Sequence, residues 1–252
     1  MSGGLDTAAP ADLIVIAKEP VPGRVKTRLT PPYTPEEAAA LAEAALADTL
    51  GTVARTPAGA RTLALAGEPG PWLPPGVRVV PQRGGGLDER LAHAFDDAYA
   101  GRPLVLVGMD TPQVTTELLE CAARALDHGG AVFGPADDGG FWLLGLARPD
   151  ARLLRGVPMS RPDTGRIQLA RLRAAGLPVT VLPRLTDVDT AADAARVAAL
   201  APHSRFAAAV RAARDAVDAR GTEDLTAADG AAGAAAAGAA GRAGHAARAG
   251  RA

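Results

Sequence analysis

Leu104-Val105-Leu106-Val107 is an unbroken apolar run between Pro103 and Gly108. A strand with one face in water alternates polar with apolar residues, so a run without alternation belongs in a sheet covered on both faces. Leu13-Ile14-Val15-Ile16 has the same character near the amino terminus. Two such strands restrict the chain to a largely parallel sheet flanked by helices. Segments 61–66, 77–80, 130–133, 141–145 and 179–182 are further β candidates, which makes about six or seven strands.

Between these strands the chain carries helix signals. Thr34-Pro35-Glu36-Glu37 combines a threonine cap, a proline at the first helical position and a glutamate at the third. It predicts a helix to about residue 50, with Leu41, Ala45 and Leu46 inward. Helices are also expected from Leu87 to Tyr99, from Thr115 or Thr116 to Leu126, and from Thr190 to Leu200, where Asp189 is the start candidate. Short helices are expected between 147 and 177, and an amphipathic one over 203–219 either closes the domain or meets a second subunit, leaving a homodimer open.

A chain of 252 residues, 48% of them hydrophobic, suits one large α/β domain or one domain plus an appendage. The formal charge of -1 lacks the basic excess of a general nucleic-acid binder. Cys121 is the single cysteine, so no intramolecular disulfide forms. Its neighbours Leu118, Leu119, Ala122 and Leu126 predict a buried small hydrophobe. No apolar run nears the roughly 20 residues that cross a bilayer, and residues 1–10 lack a signal core, so a cytoplasmic protein away from membranes is expected. Residues 1–10 read as a flexible terminus, 11–219 as the domain, and the Ala/Gly-rich 220–252 as a disordered tail.

Chemistry gathers where strands end. After the first strand come Lys18, Arg24, Lys26 and Arg28 against one acid, Glu19, with Pro20, Pro22 and Gly23 delaying any helix. In an extended backbone Arg24, Lys26 and Arg28 would all point the same way. A basic loop at the carboxyl end of a strand suits an anionic phosphate; the competing reading is a solubilising surface loop. Gln82 and Gly84-Gly85-Gly86 open the next helix, where unpaired N–H groups and absent side chains favour an anion. Arg90 either touches ligand there or holds the loop by a salt bridge.

Past the central strand, Asp110 either binds a hard cation or caps a turn. Asp137-Asp138-Gly139-Gly140 precedes the apolar run 141–145, and Asp138 can reach a cation or an acceptor hydroxyl, while Phe141 and Trp142 are expected to pack. Asp187-Val188-Asp189 follows the last strand, with both carboxylates able to face one cleft. No His/Cys spacing supports zinc, and no nucleophilic triad or common phosphate-loop spacing occurs.

The stretch from Lys18 through Lys26-Thr27-Arg28-Leu29 resembles the amino-terminal signature of phospholactate guanylyltransferases. It resembles more closely a bacterial family, DUF2064, of GT-A-like transferases usually labelled glycosyltransferase and linked in some members to arsenosugar biosynthesis. Molybdenum-cofactor nucleotidyltransferases share their superfamily. Gln82 with its glycines and Arg90-Leu91, the Gly108-x-Asp110-x-Pro112 element, Asp137-Asp138-Gly139-Gly140 with Leu143-Leu144-Gly145, and the closing Asp187 resemble further motifs of the family, over about residues 12–199. Two departures stand out: Asp88 replaces a glycine, and Met159-Ser160-Arg161 replaces a tryptophan-serine-threonine sequence.

The resemblance implies a GT-A-like three-layer αβα sandwich with a mostly parallel sheet, and a Mg²⁺-dependent transferase, with Mn²⁺ as the alternative ion. It implies Asp110 and Asp187 as metal ligands, and catalytic roles for Lys26, Asp110 and Asp138. Nucleotide contacts fall to Lys18, Gly23, Arg24, Lys26, Arg28, Gln82, Gly84, Gly85 and Gly86; acceptor contacts fall to Gly139, Gly140, Ser160 and Arg161. The partners are a nucleotide donor and a small-molecule acceptor. The basic loop favours nucleotidyl transfer from a triphosphate to a phosphorylated acceptor, and the family label favours glycosyl transfer. A nucleotide-binding protein without turnover is the third reading.

Overall fold

The computed structural model describes residues 11–222. The expected flexible terminus over 1–10 and the tail beyond 222 lie outside the described residues. The described chain falls into two units, 11–210 and 211–222, and the second is helical throughout, past the expected helix end at 219.

Seven strands form one sheet: β1 (Asp12–Lys18), β2 (Arg61–Ala66), β3 (Arg78–Pro81), β4 (Leu104–Gly108), β5 (Ala131–Pro135), β6 (Phe141–Leu146) and β7 (Val179–Val181). Their order is β3-β2-β1-β4-β6-β5-β7. All neighbours are parallel except around β6, which runs antiparallel to β4 and to β5. This is an α/β GT-A-like fold with a largely parallel, mixed sheet.

The apolar runs explain the layering. Leu13, Val15, Val105 and Val107 pack with Leu46, Leu50, Leu119 and Ala122, which belong to α1 (Pro35–Arg55) and α3 (Thr116–Ala125). Their neighbours Ile14, Leu104 and Leu106 pack with Leu91, Phe95 and Leu172 of α2 (Leu87–Ala98) and α4 (Thr164–Ala174) on the other face. Successive strand side chains point to opposite faces, so a strand covered twice needs apolar residues at every position.

The capping box expected at Thr34 forms: the Glu37 N–H donates to Thr34 Oγ1 at 3.2 Å, and the Thr34 N–H donates to Glu37 Oε2 at 2.8 Å. α1 runs on to Arg55, past the expected end near residue 50. Leu46, Leu50 and Val53 continue its buried stripe, which outweighs the cost, about 1 kcal/mol, of Gly51 inside a helix. Cys121 corrects a second expectation, since it is exposed. The buried stripe of α3 is Leu119 and Ala122, and a residue two past Leu119 turns away from it. The start of α5 (Ala191–Leu200) is a third correction: Thr190, not Asp189, is the cap, in a capping box with Asp193. Among the described residues no helix is long and apolar enough to cross a membrane.

The basic segment after β1 hangs on two buried side chains, Val25 and Leu29, the latter fully enclosed in a 3-10 turn at Thr27–Leu29. Leu29→Ala is expected to lower stability by about 2–5 kcal/mol, as for other buried leucines, measured as a fall in the urea midpoint without a change in slope.

Candidate active site

In an open α/β sheet, ligands sit beyond the carboxyl ends of the strands where the strand order reverses. Here the order reverses between β1 and β4. The chain leaves β1 at Lys18 and β4 at Gly108, so the basic loop and Asp110 flank that crevice. Because β6 is antiparallel, its preceding turn with Asp138 arrives at the same edge. The result is a cleft of about 650 Å³ lined by Lys18, Arg24, Lys26, Arg28, Gln82, Arg90, Asp110, Asp138, Gly140, Ser160, Arg161, Asp187 and Asp189.

The basic loop is coiled, not extended, so its cations are not aimed by alternation along a strand. Lys26 stands in the left-handed region, φ 49° and ψ 38°, immediately before the 3-10 turn. Its Nζ lies 2.8 Å from Asp110 Oδ1 and donates to the Val188 carbonyl. Arg28 pairs with Asp189 nearer the surface. Gly23, with φ 73°, belongs to the turn before them and lies outside the lining.

The Val188 N–H donates to the Asp110 carbonyl at 2.9 Å, which brings Asp187 beside Asp110. Burial, and then the neighbouring Asp138 charge, push the Asp187 carboxyl up from 3.8 to about 6; a backbone hydrogen bond and Lys26 oppose this, and Asp110 adds to it. Asp110 Oδ1 is itself buried, and the partner it has is the Lys26 ammonium. A buried carboxylate oxygen and a second carboxylate that resists ionisation suit a hard divalent cation. Among the described residues no group of three or more His, Cys, Asp or Glu forms a ready-made metal cage. Two carboxylates with positions left for phosphate oxygens and water are the donor set that Mg²⁺ takes, so the residues fit that ion.

On the opposite wall Asp138 Oδ1 accepts the Gly140 N–H at 2.6 Å. Gly139, with φ 88°, packs so closely that a Cβ would meet the Pro162 carbonyl oxygen at 1.9 Å, and the Gly165 N–H donates to the Gly139 carbonyl at 2.7 Å. These glycines were expected to let backbone approach a substrate; Gly139 instead lets one protein segment approach another, while Gly140 reaches the cleft. Ser160, at φ 58°, and Arg161, paired with Asp163 at 3.1 Å, line the cleft. Trp142 is buried and donates to the Pro183 carbonyl at 3.1 Å, and Phe141 packs on Phe133 with ring centres 5.6 Å apart.

Gln82 is tied down by its amide nitrogen, which donates to the Ala17 carbonyl at 2.7 Å and the Ala64 carbonyl at 3.0 Å. Gly84, Gly85 and Gly86 lie outside the cleft lining, and the Gly85 N–H is already taken by Glu89 Oε2 at 2.7 Å. Asp88, at the family's glycine position, accepts the Gly156 N–H at 2.7 Å. Thr111 was missed from sequence: it lines the cleft with a buried hydroxyl that has no partner. Its only signal was adjacency to Asp110.

The family model for an uncharacterised protein conserved in bacteria, DUF2064, matches residues 38–161. A crystal structure from Desulfovibrio desulfuricans G20, described as a candidate nucleotide-diphospho-sugar transferase, is 30% identical, with a TM-score of 0.74 over 83% of this chain and 96% of that one. The chain belongs to the DUF2064 family. Its fold also matches 4-diphosphocytidyl-2C-methyl-D-erythritol synthase, at 14% identity and a TM-score of 0.51 over 77% of this chain and 99% of that one. CMP:2-keto-3-deoxy-manno-octonic acid synthetase complexed with CTP matches at 12% identity and a TM-score of 0.50, over 77% and 99% respectively. A search of curated proteins gives no match. This DUF2064 chain therefore shares the fold of nucleotide-using transferases.

The raised Asp187 pKa makes stability depend on pH. Between 3.8 and about 6 the folded protein holds this proton more tightly than the unfolded chain, so its stabilising contribution is full at low pH and lost as pH rises through about 6. Asp187→Asn removes the titration. The variant's stability relative to wild type is expected to rise across that window and level off above it, measured from urea midpoints of both proteins on the same buffers.

Proposed function

We propose that this DUF2064 protein transfers a nucleotidyl group from a nucleoside triphosphate to a small phosphorylated acceptor, using Mg²⁺ or Mn²⁺ held by Asp110 and Asp187. The observation that carries this reading is the convergence of Lys18, Arg24, Lys26 and Arg28 on a cleft whose floor holds those two carboxylates. A triphosphate's high negative charge needs such a cationic wall, and the likeness of the basic loop to that of phospholactate guanylyltransferases supports the same chemistry.

In the reaction an acceptor phosphate oxygen attacks the α-phosphorus, and the bond from that phosphorus to the bridging oxygen breaks, releasing pyrophosphate. Arg24, Lys26 and Arg28 neutralise the departing pyrophosphate with positive charges already gathered at the cleft. Arg161 and Ser160 face the acceptor from the other wall. The divalent cation supplies charge neutralisation at the phosphate oxygens.

Glycosyl transfer from a nucleotide-diphospho-sugar is the second reading, favoured by the description of the 30% identical Desulfovibrio protein. In it Asp138 serves as the acceptor base. Assays with nucleoside triphosphates and a panel of phosphorylated acceptors separate the two. Pyrophosphate release supports nucleotidyl transfer; free nucleoside diphosphate from sugar nucleotides, without pyrophosphate, reverses the order. Metal-dependent binding with no transfer across the panel indicates a nucleotide-binding protein without turnover. Asp110→Asn is expected to keep the fold by circular dichroism and to lose metal-dependent turnover equivalent to about 2–4 kcal/mol.

A further inference from the structure

Lys26 is the least exposed cation that reaches the cleft's carboxylates: its side chain is only 10% exposed. It sits in a left-handed backbone conformation that a residue with a Cβ adopts at a cost. The neighbouring contacts maintain that conformation. Val25 and Leu29 are buried on either side, and the Leu29 N–H donates to the Lys26 carbonyl at 2.9 Å. The effect is to hold an ammonium against Asp110 Oδ1 and the Val188 carbonyl. These are two oxygens of the kind a hard cation binds, and the buried Oδ1 is occupied by the ammonium. A lysine dedicated to phosphate would be aimed into the open cleft, as the exposed Arg24 and Lys18 are.

We propose that Lys26 is the resident counter-ion of Asp110, which a divalent cation must displace, and that its release hands the ammonium to the donor's phosphates. The proposal rests on the reading of Asp110 as a metal ligand given above. It makes cation binding and phosphate binding mutually favourable through one side chain, because each removes the partner that the other must compete with. Neither the metal alone nor the phosphates alone would bind well, while the two together would. An uncharged side chain at this position would weaken phosphate binding yet strengthen metal binding, a split that a purely phosphate-directed lysine does not produce.

Two binding measurements without acceptor or turnover test this. The first is a Mn²⁺ titration of the nucleotide-free protein, followed by electron paramagnetic resonance of free Mn²⁺. Lys26→Met is expected to bind Mn²⁺ about tenfold more tightly than wild type, the effect of removing one adjacent opposing charge. Lys26→Gln serves as a second uncharged variant should the first unfold, and Lys26→Arg, which keeps the charge, is expected to show no such gain. Equal or weaker Mn²⁺ binding by both uncharged variants, or no Mn²⁺ binding by any of the proteins, overturns the proposal. The second is calorimetric titration of inorganic pyrophosphate in EDTA. Asp110→Asn frees Lys26 and is expected to bind pyrophosphate several-fold more tightly than wild type; unchanged or weaker binding overturns the hand-over. Neither readout depends on whether the transferred group is a nucleotide or a sugar, so these results and the product assays fail independently.

Discussion

The hydrogen bond from the Val188 N–H to the Asp110 carbonyl joins two loops that are far apart in sequence. Asp110 follows β4 near the centre of the sheet, while Val188 follows β7 at its edge. β6 and β5 lie between them, so the chain after β7 must travel back across the sheet's carboxyl edge to make that bond. On the way, Arg184 donates to the Ala136 carbonyl at 2.6 Å and the Thr186 hydroxyl to Asp137. Gln113 donates to the Thr186 carbonyl. Val188, fully buried, anchors the end of the path. Asp187 reaches the central crevice only because of this return, and its neighbourhood of Asp138, Lys26 and Asp110 follows from it.

The fold was legible because its strands are short, apolar and covered twice, which leaves few alternatives to a layered α/β sheet. β2 was readable to its residue limits, and the Thr34 capping box to its atoms. What failed was local. Cys121 has apolar neighbours on both sides in sequence, but helical geometry decides burial by angle, and its angle is wrong. Asp189 and Thr190 are both good caps, and Arg28 drew the aspartate into an ion pair, leaving the cap to the threonine.

The cleft was legible as a set of residue types and much less as a set of contacts. Lys18, Arg24, Arg28, Asp110, Asp138 and Asp187 all reach it, since each follows or precedes a strand at the same edge. Gly84 to Gly86 do not, because a glycine run announces backbone freedom without saying what approaches it. The pairing of Lys26 with Asp110 joins residues assigned to phosphate and metal respectively. Nothing in either local sequence reports it, for it depends on a left-handed residue and on the path of the chain after β7.

The seating of Gly139 against Pro162 has a mechanical side. With backbone atoms of two segments already at contact, and with Gly165 bonded into the same joint, the wall that carries Ser160 and Arg161 shifts only together with the turn that carries Asp138. The start of α2 is tied to the same wall, because Asp88 accepts the Gly156 N–H just ahead of it. Variation in what this wall accepts would come from exchanging side chains at 159–161 while the backbone beneath them stays put.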